Sequence, residues 1–219
     1  MKKEFYQLDL DATRLIVFDW DGTLANSLAS ILNSFRTSAL RMDLDPVDDS
    51  AIKPLIGLGL KTVINSLYPN LKTDRVEAFA HYYQEAYFKQ PKCTLFEGVA
   101  ELLEALKQKG VLMAVATGKG RQGLNQALVD TNVKDYFFET KTVNECPIKP
   151  DPTMLNEILE AADLDPTKAI MVGDAICDME MAQSIGMNSV GVLSGGGQLV
   201  DLQKAGANSV INSVCEIII

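Results

Sequence analysis

The most constraining feature of the chain is a short apolar run, Leu15 to Phe18, that ends at two aspartates, Asp19 and Asp21. Four consecutive apolar residues bounded by turn-forming residues are typical of a strand buried on both faces, as in parallel sheets covered by helices. Ligands of such sheets bind at the carboxyl ends of the strands. The run therefore predicts an α/β fold in which Asp19 and Asp21 stand at the edge of a binding site.

The composition is that of an ordinary soluble globular protein. The chain has 219 residues, of which 47% are hydrophobic and 22% charged, so it can bury a sizeable core. Its formal net charge is −9, whereas nucleic-acid-binding proteins concentrate Lys and Arg on one face. We therefore expect no nucleic-acid partner.

The cysteines and the start of the chain favour a cytoplasmic protein. The four cysteines are scattered without a C-x-x-C pair, which argues against a zinc site and favours reduced thiols. The chain begins with the basic Met1-Lys2-Lys3, but the acids Asp9 and Asp11 come soon after it. The first apolar run is too short for a secretion signal or a membrane span, so we expect no membrane association.

Between the first strand and residue 92 the pattern is helical. Apolar residues recur at helical spacing from Ile31, and a longer helix is predicted from about Thr73 to Gln90, with Pro91 beyond its end. This stretch offers no strand that could join a sheet. It is predicted to be a helical insert over residues 26–92, within a core formed by residues 1–25 and 93–219.

After Pro91 strands and helices alternate, which is typical of βαβ units. Further strands are predicted at 111–116, about 136–140, 169–173, 189–193 and 209–211, separated by helices at 98–109, 121–129, 152–162, 176–185 and 198–204. The predicted fold is a Rossmann-like three-layer α/β core with a central parallel sheet. The glycines 195–197 are interpreted as an ordinary turn.

Polar residues come directly after several of these strands, and the parallel arrangement should bring them together. The segment Thr117-Gly118-Lys119 presents a hydroxyl and an amide near a helix start, where anions bind well. Lys149 precedes the next helix, and Asp174 and Asp178 come after the next strand. Carboxylates, a lysine and a phosphate-binding turn together indicate a phosphate and Mg²⁺ site, since Mg²⁺ prefers oxygen ligands.

Electrostatics also favour a cation among these acids. Two carboxylates about 5 Å apart at an effective dielectric near 20 repel each other by roughly 3 kcal/mol. Lys149 alone cannot offset several such pairs. A divalent cation would neutralise half of the nominal charge of the four aspartates, and Lys149 would reduce the remainder. Without metal, at least one acid should have a raised pKa, because neighbouring like charges disfavour joint ionisation.

Taken in order, these segments resemble the four signature motifs of the haloacid dehalogenase superfamily. The motifs are Asp19-Trp20-Asp21-Gly22-Thr23, Thr117-Gly118, Lys149-Pro150, and Gly173-Asp174 followed by Asp178. The helical insert after the first motif resembles the C1 cap of the phosphoglycolate phosphatase-like branch. Any single motif would be weak evidence, but four in order at predicted strand ends are specific.

The resemblance implies a Mg²⁺-dependent phosphatase that hydrolyses a small phosphorylated metabolite through an aspartyl-phosphate. Asp19 would be the nucleophile and Asp21 the general acid and base, as covalent catalysis in two steps requires. Thr117, Gly118 and Lys149 would hold the phosphoryl group, and Lys119 is a further candidate for contacting substrate. The implied metal ligands are Asp19, the main-chain carbonyl of Asp21, and Asp174, with Asp178 bound directly or through water.

Other functions remain open from the sequence alone. A β-phosphoglucomutase-like phosphomutase would use the same residues, and a non-catalytic phosphometabolite-binding protein would keep part of them. Gly118-x-Gly120-x-x-Gly123 formally matches the dinucleotide-binding fingerprint but leaves the aspartates unexplained. An EF-hand is disfavoured because Thr23 and Ser30 occupy positions that need acids. The identity of the substrate and the oligomeric state are not specified by these motifs.

Overall fold

The computed structural model describes residues 5–219, so the basic start Met1-Lys2-Lys3 lies outside the described part. The strands are β1 (Tyr6–Gln7), β2 (Leu15–Phe18), β3 (Leu112–Thr117), β4 (Glu139–Thr142), β5 (Ala169–Gly173), β6 (Asn188–Val192), β7 (Ser209–Ile211) and β8 (Ile217–Ile218). The helices are α1 (Leu28–Arg41), α2 (Asp49–Ile52), α3 (Leu60–Leu67), α4 (Thr73–Phe88), α5 (Val99–Gln108), α6 (Arg121–Thr131), α7 (Thr153–Ala162), α8 (Ile176–Ser184) and α9 (Leu199–Lys204).

The central sheet is parallel and has the strand order β4-β3-β2-β5-β6-β7. From β2 the chain first builds outward through β3 and β4 and then returns to β5 on the other side. This reversal of direction places a crevice at the carboxyl ends of β2 and β5. Phe18 pairs with Val115 on one side and Val172 on the other, so the residues directly after these strands are neighbours.

Strand β2 is buried on both faces because helices cover both sides of the sheet. Ile16 and Phe18 pack with the apolar faces of α5 and α6. Leu15 and Val17, pointing the opposite way, pack with α7 and α8. The alternation of side chains along a strand explains why all four residues of this run must be apolar. The predicted three-layer fold is confirmed.

The segment between β2 and α5 has an apolar cluster of its own. Phe35 of α1, Ile64 of α3 and Phe79 of α4 are fully or almost fully buried within it. Among the described residues 28–88 there is no strand of the central sheet. The predicted domain limits, 26 and 92, stay a prediction.

Two differences from the predicted elements have physical reasons. The strand expected near residues 136–140 begins only at Glu139, because Lys134–Tyr136 form a turn of 3₁₀ helix first. The sequence predicts no strand before Leu15, yet Tyr6–Gln7 pairs with Ile217–Ile218 near the other end of the chain. Such a short, non-local pairing has no local sequence signal.

Two further observations concern the environment of the chain. All four cysteines are free, and Cys146 and Cys177 are buried. Of the helices in residues 5–219, none has both the length and the apolar character needed to cross a membrane.

Candidate active site

Asp19 and Asp21 lie where β2 gives way to a tight turn. The backbone N–H of Asp19 still donates to the carbonyl of Val172, at 2.9 Å, so the sheet fixes its position. Gly22 then adopts a positive φ of 84°. A Cβ at Gly22 would lie 2.6 Å from an oxygen of Asp174, so both the conformation and the space require glycine.

Three of the predicted acids form one buried group. Oxygens of Asp19, Asp174 and Asp178 lie within 4.8 Å of one another. The ammonium of Lys149 is 3.0 Å from Oδ1 of Asp19 and 2.6 Å from Oδ1 of Asp178. The second oxygen of Asp178 accepts a hydrogen bond from the N–H of Ala175 at 3.1 Å. Lys149 and Asp178 are therefore both committed to contacts within the protein.

Burial and like charge make this group costly to ionise. Burial, with a smaller contribution from the charge on Asp178, outweighs Lys149 and raises the pKa of Asp19 to about 6. Burial, together with Asp19 and Asp178, raises the pKa of Asp174 well above its usual range. Burial by itself would lower the pKa of Lys149, but Asp178 and Asp19 outweigh burial and raise that pKa. Three acids against one lysine leave a net negative charge.

The carboxylate of Asp19 has unused hydrogen-bonding capacity. Both of its oxygens are buried, and neither accepts a hydrogen bond of good geometry, although Lys149 provides an ion pair. A buried carboxylate without such partners is destabilising. Oxygen ligands clustered around an excess of negative charge match the preference of Mg²⁺, so this donor set fits the metal that the sequence predicts.

Asp174 is held by residues that sequence reasoning missed. Its Oδ1 accepts a hydrogen bond from the hydroxyl of Thr23 at 3.1 Å, and its Oδ2 accepts one from the N–H of Gly196 at 2.8 Å. Ser194 donates to the carbonyl of Gly22 at 2.7 Å. The loop after β6, interpreted as an ordinary turn, is therefore part of the site. Its position after a parallel strand was the available signal.

The second predicted segment lies at the end of β3. Thr117 is buried, and its hydroxyl accepts a hydrogen bond from the N–H of Lys119 at 3.2 Å. Helix α6 begins only at Arg121, so Gly118 precedes the first helical turn. A Cβ at Gly118 would lie 2.2 Å from the carbonyl oxygen of Gly57, which shows how closely the segment before α3 approaches it.

Lys119 contacts Asp21 rather than lying free to receive an anion. Its ammonium is 3.0 Å from both oxygens of Asp21 and 2.9 Å from the hydroxyl of Tyr87 in α4. Burial by itself would lower the pKa of Lys119, but Asp21 and the hydroxyls of Tyr87 and Tyr83 outweigh burial and raise that pKa. Lys119 thus carries its positive charge and links the predicted acid–base residue to a helix outside the sheet.

A cavity of about 990 Å³ opens over these residues. Asp19, Asp21 and Thr117–Lys119 line one side of it, and residues from α1, α3 and α4 line the other. Lys149, Asp174 and Asp178 do not line the cavity; they are buried and lie close to Asp19. The only histidine of the chain, His81, is exposed on α4 and pairs with Glu85 at 3.3 Å, away from this wall.

Comparisons with known proteins give one consistent result. The family model described as "Haloacid dehalogenase-like hydrolase" matches residues 16–192. A phosphoglycolate phosphatase from Mannheimia succiniciproducens is 30% identical, with 83% of this chain and 86% of that protein covered. A phosphoglycolate phosphatase from Vibrio vulnificus is 28% identical, with 83% of this chain and 84% of that protein covered. A predicted phosphatase from Clostridium acetobutylicum, with a known crystal structure, is 27% identical in sequence. The superposition covers 94% of this chain and 96% of that chain, with a TM-score of 0.83.

Proposed function

The chain belongs to the haloacid dehalogenase-like hydrolases, and we propose that it is a Mg²⁺-dependent phosphatase that acts through an aspartyl-phosphate on Asp19. Its substrate is a small phosphorylated metabolite, as with its phosphoglycolate phosphatase relatives. One observation carries the proposal. The buried Asp19 carboxylate faces a large cavity, is positioned by the sheet, and has oxygens that are not used by hydrogen bonds.

The reaction takes two displacements at phosphorus. In the first, an oxygen of Asp19 forms a bond to phosphorus while the bond to the leaving alcohol oxygen breaks, and Asp21 gives that oxygen a proton. In the second, water attacks the phosphorus of the aspartyl-phosphate and loses a proton to Asp21. Inorganic phosphate leaves, and both aspartates return to their starting states.

The remaining residues position the groups that react. Thr117 and the N–H of Gly118 bind phosphoryl oxygens, and Lys149 holds Asp19 while offsetting charge on the transferring group. Lys119 holds Asp21 through the contact at 3.0 Å. We assign Lys119 this positioning role because its ammonium is already bound by Asp21 and Tyr87.

The fit of the acidic cluster to Mg²⁺ supports the metal assignment. Asp19, Asp174 and the main-chain carbonyl of Asp21 would hold the ion. Because both oxygens of Asp178 already accept hydrogen bonds, from Lys149 and Ala175, we assign Asp178 a contact through water. When bound, Mg²⁺ neutralises carboxylate charge and stabilises the charge on the transferring phosphoryl group.

Residues 26–92 serve as a cap over this site. The two connections between this segment and the sheet lie next to each other. The N–H of Asn26 donates to the carbonyl of Thr94 at 2.9 Å, and the N–H of Phe96 donates to the carbonyl of Leu24 at 3.0 Å. Its separate apolar core allows it to move as a unit. Closing the cap excludes bulk water, which would otherwise compete for the phosphoryl group.

Hydrolysis of p-nitrophenyl phosphate tests the function. We expect turnover that is lost on chelation, restored by Mg²⁺, and reduced by roughly 10⁴-fold or more in Asp19→Asn. Asp201→Asn, which changes an exposed aspartate of α9, is the matched control and should retain activity. Acid quenching during turnover should trap phosphate on the wild-type chain but not on Asp19→Asn. Equal turnover by Asp19→Asn and wild type would refute the proposal.

A further inference from the structure

The cations that line the cavity are all paired with carboxylates of the protein. In the described part of the chain, the lining residues with a positive charge are Lys61, Lys119 and Arg121. Lys119 pairs with Asp21 at 3.0 Å, and Lys61 pairs with Glu77 at 2.5 Å.

Arg121 is the most fully engaged of the three. Two of its nitrogens contact the carboxylate of Glu145, at 3.0 and 2.9 Å, and two contact Thr140, at 2.8 and 2.7 Å. Its donors are therefore engaged by other groups of the protein, at a partly exposed site. A second anionic group on a substrate would find no unpaired cation among these lining residues.

The wall opposite the aspartates is mainly apolar. Its accessible apolar residues include Ile56, Leu58 and Leu60, which are half-buried and pack against the apolar cluster of the helical segment, whereas Phe35, Ile52 and Val63 are already buried within that cluster. Ile148 and Val143 continue this surface on the sheet side, where they approach Gly59. At about 990 Å³ the cavity is also at the upper end of the usual range for small-molecule sites, about 300–1,000 Å³.

We propose that the preferred substrate is a phosphate monoester whose organic body is uncharged and largely apolar. The proposal rests on the phosphatase function proposed above and names its substrate class. An apolar body would bury surface against the helical wall, which is favourable. A carboxylate, as in phosphoglycolate, would lose water and would have to compete with Glu77, Glu145 or Asp21 for a cation, which is unfavourable. The inferred specificity therefore differs from the substrate in the names of the curated relatives.

Matched substrate pairs test this inference. Phosphate release with Mg²⁺ is measured for ethyl, butyl and hexyl phosphate, and for phosphoglycolate and 6-phosphooxyhexanoate. We expect kcat/KM to rise about fourfold per added methylene until the cavity is filled, from the free energy of burying one methylene. We expect ethyl phosphate to exceed phosphoglycolate, and hexyl phosphate to exceed 6-phosphooxyhexanoate, each at least about tenfold.

A charge placed in the cavity gives an independent check. Gln84 is exposed on α4 and lines the cavity. Gln84→Lys should reduce the ratio of kcat/KM between each neutral substrate and its carboxylate partner by about fivefold or more. Gln84→Met should leave this ratio as in wild type.

The outcomes separate the two proposals. Suppose that p-nitrophenyl phosphate is hydrolysed and that this activity depends on Asp19. A higher kcat/KM for phosphoglycolate than for ethyl phosphate would then overturn the substrate class alone, and so would a kcat/KM that does not change with chain length. If neither p-nitrophenyl phosphate nor any other compound is hydrolysed, both proposals are wrong.

Discussion

The ammonium of Lys119 lies 3.0 Å from each carboxylate oxygen of Asp21, and it also donates to the hydroxyl of Tyr87, 2.9 Å away. Asp21, just beyond the end of β2, is thereby connected to α4 through one half-buried lysine. Because Asp21 is the proposed proton carrier, this connection makes its orientation depend on the position of α4, which belongs to the proposed cap.

Replacing Lys119 should therefore impair catalysis. We expect Lys119→Met to lower kcat/KM by about tenfold to a hundredfold, because it removes hydrogen bonds to a charged group. Tyr87→Phe keeps the contact between Lys119 and Asp21 and should cost less than Lys119→Met. Steady-state kinetics with p-nitrophenyl phosphate would measure both, and wild-type kcat/KM in Lys119→Met would argue against a positioning role.

The buried lysine Lys149 should matter for stability as well. Lys149→Met leaves the side chains of Asp19 and Asp178 buried without their cation, so we expect a loss of about 3–5 kcal/mol in the free energy of unfolding. Lys61→Met breaks an exposed pair with Glu77 and should cost at most about 1 kcal/mol.

Urea unfolding of the metal-free protein measures this difference between Lys149→Met and Lys61→Met. Because the cost comes from unpaired negative charge, the double variant Asp19→Asn, Lys149→Met should recover part of the stability lost in Lys149→Met. A double variant less stable than Lys149→Met would contradict this explanation.

Magnesium should stabilise the protein more at pH 7.5 than at pH 5. Burial raises the pKa of Asp19 from 3.8 to about 6. Between these two pH values the folded, metal-free protein keeps a proton on Asp19 that the unfolded chain has lost. This group therefore contributes stability below about pH 4 that is lost as pH rises through 6. Binding Mg²⁺ requires the ionised carboxylate, and at pH 5 it must displace that proton.

Thermal unfolding with and without Mg²⁺ checks the sign of this effect. A hundredfold excess over Kd contributes about 2.7 kcal/mol, or roughly 5–10 °C in Tm for a chain of this size. We expect a shift of this order at pH 7.5 and a smaller one at pH 5. The Asp174→Asn variant serves as a control with reduced metal binding, and an equal shift in that variant would exclude this site as the source.

Gly118 should be intolerant of a side chain. A Cβ there would lie 2.2 Å from the carbonyl oxygen of Gly57, so Gly118→Ala must displace the cap segment before α3. We expect a fall of about a hundredfold in kcat/KM, the typical cost of a misplacement near 1 Å. Gly120→Ala lies in the same loop and meets only the side chain of Asn144, at 3.2 Å, so it should retain most activity.

The sequence predicted the sheet well because each strand carries its own signal. The limits of β5 and β7 agree with prediction, at Ala169–Gly173 and Ser209–Ile211, since each is a short β-forming run between turn-forming residues. The pairing of β1 with β8 was missed, because it joins residues near opposite ends of the chain and each strand has only two residues.

Some residues of the candidate site could be predicted from the sequence, and others could not. Asp19, Lys149 and Asp174 were predictable because each comes after a strand or precedes a helix within a recognisable motif. The contact of Lys119 with Asp21 was not predictable, since it depends on where α4 places Tyr87. The support of Asp174 by Gly196 is likewise a backbone contact, which side-chain chemistry in a sequence does not reveal.

The adjacent crossings at Leu24–Asn26 and Thr94–Phe96 have a consequence for how such a chain can change over time. Because the two crossing segments are already hydrogen-bonded to each other, the sheet needs only a short connection there to remain closed. Away from Tyr87 and Gly57, the insert can therefore be lengthened or rebuilt while Asp19 keeps its place at the end of β2. Under the function proposed above, reaction chemistry and substrate choice are encoded largely in different stretches of one gene, which constrain each other where Tyr87 meets Lys119 and where Gly57 meets Gly118.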